Sequence, residues 1–270
     1  MKKFILLSIS LSLALNLIAS FQDVYSEAEK LKNDGNYKDA LKIYKEIILE
    51  KDDSSKKLCP AFVNALDCMR ELNMTKDIDA FRENAIAKHK DDWRFLQAAA
   101  HSLVREQHYG YMIAGQFERG GHRGGGEMVN SIQRDRIRAL QLYLQAMPLV
   151  KEHAPANEKD SFYLAFSRAI LYERGHAEAW RLQYLSDLKN LPDYEPGYYG
   201  HYGRYNFGAP VNEDGEPVFY YIPESFDLAK NDGERWRWLL KEAQRIYPQG
   251  AAYVELEFAN FLKAQFGVQT

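Results

Sequence analysis

FQDVYSEAEKLKNDGNYKDALKIYKEIILE, residues 21–50, reads as two helices around one glycine. Ala28 and Leu31 share a helical face before Gly35. After it, Tyr37, Ala40, Tyr44 and Ile47 recur at helical spacing and form the apolar stripe of a second helix. Gly35 breaks the first helix in a tight turn, so the pair closes as an antiparallel helical hairpin. Small Ala28 and Ala40 let the helices approach, and the aromatic rings fill the space between.

The spacing Gly-x-Tyr-x-x-Ala-x-x-x-Tyr, from Gly35 to Tyr44, resembles that of a tetratricopeptide repeat. One such hairpin cannot bury its apolar face alone. Residues 58–72 and 75–88 read as a second, degenerate pair. Trp93 and Leu96 open a further helix that Asp91 or Asp92 can cap. Residues 131–147, with Asn130 as cap, and the pair 158–173 and 176–189, with Gly175 at its turn and Pro192 closing it, extend the array. The expected fold is mainly all-α: a tetratricopeptide-like array of helical hairpins, with an irregular helical bundle as the alternative. The helical-repeat domain covers 21–189. Residues 190–270 hold a Tyr-rich insertion and a continuing helical pair. The last helix is apolar at Val254, Phe258, Phe261 and Leu262, as in an array that continues.

The apolar run Phe4–Ala19 behind Lys2 and Lys3, ending in small Ala19-Ser20, reads as a secretory signal over residues 1–20. Left uncleaved, it would serve as a membrane anchor. The expected location is the periplasm or the cell surface. Cys59 and Cys68 lie on one expected helix, roughly 13 Å apart by helical rise. A disulfide needs about 4.4–6.8 Å between Cα atoms, so both are expected as free thiols. The 270 residues are 46% hydrophobic and 27% charged, a folded chain rather than a disordered one. A net charge of −3 argues against a nucleic-acid binder.

Two stretches break the helical pattern. HYGYMIAGQFERGGHRGGGEMVNS, residues 108–131, has seven glycines and reads as a loop folded back through Tyr109, Tyr111, Ile113 and Phe117. Arg119, His122 and Arg123 fall at its Gly-rich tip, 120–126, as candidate partner-binding residues. The alternative is that the arginines pair with acidic residues on adjacent helices while the glycines permit a tight crossing. Residues 192–225 are rich in tyrosine, with a small β-hairpin expected near 210–221 around Asp214-Gly215. Tyr198, Tyr199, Tyr202 and Tyr205 are candidate contact residues there, because tyrosine offers large area at small entropy cost. Alternatively these rings plug the end of the array. No nucleophile and base are paired by spacing, His201 has no second metal ligand near it, and no cofactor, metal or catalytic residue is expected.

The segments GQFERGGHRGGGEMVNSIQRDRIRALQLYLQAMPL, AEAWRLQYLSDLKNLPDYE, NDGERWRWLL and FLKAQFGVQT resemble the amino-terminal helical region of large exported bacterial alpha-2-macroglobulin-family proteins. The resemblance covers most of 93–270 and implies the front part of a protease-trapping protein of the cell envelope. That family's bait region and Cys-x-x-Gln thioester motif are not found here, so the resemblance carries over no functional residue. The function expected is an exported protein-interaction module that binds a protein or peptide. The rivals are a structural spacer without its own ligand and a hydrolase using His122 or His201.

Overall fold

The computed structural model describes residues 23–50, 57–174, 176–198, 214 and 220–266. It is mainly helical, with one small four-stranded antiparallel sheet. The chain divides into two compact units, Met1–Ala98 and Ala99–Thr270.

In the first unit, α1 (23–33) and α2 (Tyr37–Leu49) meet at Gly35. Gly35 sits at φ +81°. Its N–H donates to Lys32 O at 3.0 Å, and the Asn36 N–H donates to Leu31 O at 2.8 Å. This pair of bonds satisfies the last carbonyls of α1 and needs the positive φ that glycine adopts without strain. Next come α3 (Leu58–Glu71), a 3₁₀ turn, and α4 (Ile78–Lys88). Of the stripe read from the sequence, Ala28, Ala40, Tyr44 and Ile47 are fully buried, whereas Leu31 and Tyr37 are half-buried. Lys32 Nζ donates to Asn64 Oδ1 and Asp67 Oδ2, both at 2.7 Å, and Asn64 Nδ2 donates to the hydroxyls of Tyr25 and Tyr44. One polar bridge therefore ties α3 to both helices of the first pair. The division between units falls inside α5 (Trp93–Val104), whose start is capped by Asp92 Oδ1 accepting from the N–H groups of Arg94 and Phe95.

Both cysteines lie in α3, and both are free. Burial pushes the Cys59 thiol up to about 12 and raises that of Cys68 as well. At pH 8 the Cys59 thiolate is then on the order of one molecule in 10⁴, and the thiolate is the reactive form. Intact mass under non-reducing conditions should show two thiols that iodoacetamide alkylates fully only after denaturation. Rapid native labelling or a Cys59–Cys68 crosslink would overturn this.

The second unit corrects the sequence reading of 108–131. That stretch is not an irregular loop. It forms β1 (Tyr109–Ile113), β2 (Gln116–Arg119) and β3 (Glu127–Asn130). With β4 (Glu195–Pro196), the sheet order is β2-β1-β3-β4. Ala114 and Gly115, at φ +49° and +80°, turn β1 into β2, since two residues of positive φ match the strand twist of a tight hairpin. Gly110 is obligatory in β1: a Cβ there would lie 2.3 Å from Glu118 O and 2.6 Å from the Phe117 ring.

Helices α6 (Ile132–His153), α7 (Ala156–Leu171), α8 (Asp232–Ile246) and α9 (Ala251–Phe266) complete this unit. Their core is aromatic: Tyr143 stacks on Phe166 at 4.9 Å, and Trp236 meets Phe261 at 4.5 Å. The α-helix expected at 176–189 is a 3₁₀ segment, His176–Gln183, followed by irregular chain. The reason lies at the start of α8. Tyr184 O accepts from the Asp232 N–H, and the Ser186 N–H donates to Asp232 Oδ1. Backbone groups used this way cannot continue a helix. The hairpin expected near 210–221 falls mostly outside the described residues.

Candidate functional site

The crossing from β2 to β3 governs where the candidate residues stand. β2 and β3 both pair with β1, one on each side. Residues 120–126 must therefore cross from Arg119, opposite Gly110, to Glu127, opposite Met112. They form a strap over β1 rather than a projecting tip. A Cβ on Gly126 would lie 3.1 Å from Met112 O, so Gly126 serves the crossing, while Gly121 and Gly125 face open space. His122 lies on the strap with its ring 5.8 Å from that of Tyr111 and its Nδ1 3.7 Å from Glu118. Arg123 is exposed.

Arg119 is not a surface residue, which corrects its assignment to an exposed contact. It is the last residue of β2 and only 3% exposed. Its Nη1 donates to Asp135 Oδ2 at 2.9 Å and its Nη2 to Asp135 Oδ1 at 3.0 Å, a bidentate pair with the first turn of α6. Nη1 also donates to Gln107 O and Ser131 Oγ. The pairing of an arginine with an acid on an adjacent helix is the alternative reading of this stretch.

Four members of this cluster, Asp135, His108, Tyr172 and Ser131, were not singled out from the sequence. His108 Nδ1 lies 2.8 Å from Asp135 Oδ2, and its Nε2 lies 2.7 Å from the Tyr172 hydroxyl. An ionised carboxylate only accepts, so Nδ1 carries the proton toward Asp135. In the neutral ring, Nε2 then accepts from Tyr172. Ser131 Oγ donates to Asp135 Oδ2 at 2.6 Å. Burial alone would push the Asp135 carboxyl up, but the bonds from His108, Arg119 and Ser131 outweigh it and hold the group below its ordinary value. Both ring nitrogens of His108 and both oxygens of Asp135 are occupied. The cluster is a clamp that pins the sheet to α6 and to the end of α7. A signal for it exists only as His108, Arg119 and Asp135 scattered over 27 residues.

Tyr194 and Tyr198 of the second stretch pack against the same sheet. β4 pairs with β3, Asn130↔Glu195 and Val129↔Pro196. Tyr194 stacks on Phe117 at 4.3 Å, and Tyr198 lies 4.6 Å from Tyr109 while remaining 43% exposed. Tyr220 is buried against Trp236 and Phe261 and plugs the helical core, as the packing alternative has it. Tyr199, Tyr202 and Tyr205 lie outside the described residues, as does His201. Among the described residues, no group of three or more His, Cys, Asp or Glu could hold a metal ion. No helix among them is long and apolar enough to cross a membrane.

The chain matches no protein-family model, no curated protein and no solved structure.

Proposed function

We propose that this chain is an exported protein-interaction module of tetratricopeptide-like helical hairpins, with contact residues on the strap across its small sheet. The observation that carries the reading is Arg123, exposed on a strap whose base is fixed by the buried Arg119–Asp135 pair. A cation held on a pre-ordered loop loses little entropy on binding, and arginine and tyrosine are common interface anchors. His122 and Tyr198 flank the same sheet as half-exposed neighbours. The hairpin at Gly35, with Ala28 and Ala40 buried, supports the repeat reading. Residues 1–20 support export. The resemblance to the front of alpha-2-macroglobulin-family proteins would make the module part of a protease trap of the cell envelope. No reaction is assigned to it.

A pull-down from envelope extract tests this. The double variant His122→Ala, Arg123→Ala should lose the partners that the parent chain retains, while its melting temperature stays within about 2 °C, because surface changes are typically worth ±0.5 kcal/mol. Undiminished capture by that variant would remove the strap from the interface.

A further inference from the structure

Helix α9 is apolar on the side that faces water as well as on the side that faces the core. Its inner stripe holds Val254 and Phe261, both buried, and Phe258 and Phe261 pack on Trp236 of α8. On the opposite side Ala252, Leu256, Ala259 and Lys263 follow one another at helical spacing, and all four are exposed. Leu256, a full-sized aliphatic side chain, is 55% exposed. A helix apolar all round is normally covered on both sides.

The rotation of α9 is fixed from its flanks. On one flank Arg168 of α7 donates to the Tyr253 hydroxyl and, at 2.6 Å, to Glu257 Oε1. On the other, Arg237 of α8 lies over the Phe258 ring at 3.6 Å, and Gln244 Nε2 donates to Glu255 Oε1 at 3.4 Å. The exposed stripe is therefore a ridge presented in one orientation.

The charges of this helix select what covers the ridge. From Ala251 to Phe266 the charged side chains are Glu255, Glu257 and Lys263. Glu257 is engaged by Arg168. The other two are opposite in sign and exposed, and they stand four residues before and four residues after Ala259. A second α9 laid antiparallel across the first, with a two-fold axis at Ala259, brings Glu255 of each copy level with Lys263 of the other. Both pairs form at once, so the ridge is complementary to itself. The same register sets Ala259 against Ala259, where short side chains let two helices approach to the roughly 8–10 Å of a packed pair. Leu256 then packs on the partner's Ala259 and on the aliphatic stem of its Lys263. A parallel pairing would instead set Glu255 on Glu255 and Lys263 on Lys263.

We propose that the outer stripe of α9 seats a second copy of this chain, in an antiparallel, two-fold pairing of α9 with α9. Such a contact uses the same patch on both copies and closes on itself, so association stops at the dimer. Two facing helices of roughly 24 Å bury less than the roughly 1,200–2,000 Å² of a standard stable interface. The dimer is therefore reversible, with dissociation in the range of roughly 1–100 μM.

Sedimentation velocity of the full chain at about 1 to 200 μM reads the oligomeric state across that range. A monomer–dimer equilibrium is expected, weaker at about 0.5 M than at about 0.05 M salt. Glu255→Lys or Lys263→Glu alone sets like charges level on both sides of the axis and should weaken the dimer at least about tenfold. The double variant restores both pairs with their signs exchanged and should recover the association of the parent. All three should melt within about 2 °C of the parent, because the changes are on the surface. Ala259→Cys touches neither charge. It should give a disulfide-linked dimer on mild oxidation, since the axis sets this residue against itself. Ala252→Cys, roughly 21 Å along the helix from its counterpart in the pair, should not. The parent, oxidised alike, controls for Cys59 and Cys68. A chain that stays monomeric at the highest concentration leaves the ridge to a different protein and overturns the proposal. A dimer that both single swaps leave intact, or a double variant no better than the singles, places association on another surface and overturns it too. Crosslinking through Ala252→Cys rather than Ala259→Cys, or species that keep growing with concentration, excludes the two-fold antiparallel pairing and likewise overturns it. None of these outcomes depends on the strap.

Discussion

Asp232→Ala should destabilise the second unit by about 3–5 kcal/mol, the usual cost of removing one partner from a buried ion pair. Asp232 and Arg136 are both fully buried. Arg136 Nη2 donates to Asp232 Oδ2 at 3.0 Å and to Ile170 O at 2.9 Å, and its Nε donates to Tyr172 O at 3.2 Å. The guanidinium thus satisfies carbonyls at the end of α7, where a cation also suits the helix dipole. Asp232 opens α8 and accepts from Ser186 and Arg235 as well. One ion pair therefore joins α6, the end of α7, the 184–186 segment and α8. Without Asp232, Arg136 is a buried charge facing Arg235 and Arg181. For a unit of this size, each kcal/mol is worth about 2–4 °C, so the melting temperature should fall by on the order of 10 °C. Replacing both members with apolar residues, Arg136→Met with Asp232→Leu, should cost clearly less than the single change, because no charge is left orphaned. Thermal melts and urea titrations of the three variants decide it. A single variant that melts with the parent chain would show the pair to be idle.

That pair is also a measure of what could be read in advance. The helix legible at 131–147 runs Ile132–His153, and the continuing helical pair expected in 190–270 includes α8, Asp232–Ile246. That Arg136 and Asp232, 96 positions apart, would meet in the interior carries no local signal. The same holds for Arg119. Its neighbours Gly120, Gly121 and Gly124 to Gly126 point to a loop, and only the meeting with Asp135 makes it a strut. The sheet itself left a trace. Tyr109, Tyr111 and Ile113 alternate, and Ala114-Gly115 breaks them before Phe117. Strands of four or five residues leave too short a pattern to outweigh seven glycines, and their register is set by long-range contacts. By contrast, Gly35 and Asp92 act through bonds to residues within five positions, and both did what their local sequence implies. Local chemistry was readable in this chain, and the buried electrostatics that assemble the candidate surfaces were not.

The clamp at Asp135 should reveal itself through acid. Its carboxyl is held below the ordinary 3.8 by His108, Arg119 and Ser131 against the opposing effect of burial. In the unfolded chain the same group titrates near that ordinary value. As pH falls, the unfolded state takes up the proton first, so the equilibrium shifts toward unfolding. The stability due to Asp135 is therefore complete above about pH 4 and is lost as pH falls through the depressed folded value. Asp135→Asn should be destabilised at pH 7, where the parent has its full contribution. Below pH 4 the parent should lose stability more steeply, so the two curves converge. Arg119→Ala at pH 7 should cost about 3–5 kcal/mol, since it leaves a buried carboxylate without its main cation. Arg123→Ala, four residues away and exposed, should stay within about ±0.5 kcal/mol. Urea denaturation at a series of pH values measures all of these. Parallel acid slopes for the parent and Asp135→Asn would mean that the carboxylate is not what couples the sheet to α6. Equal costs for Arg119→Ala and Arg123→Ala would place the strap, rather than the clamp, in the folding core.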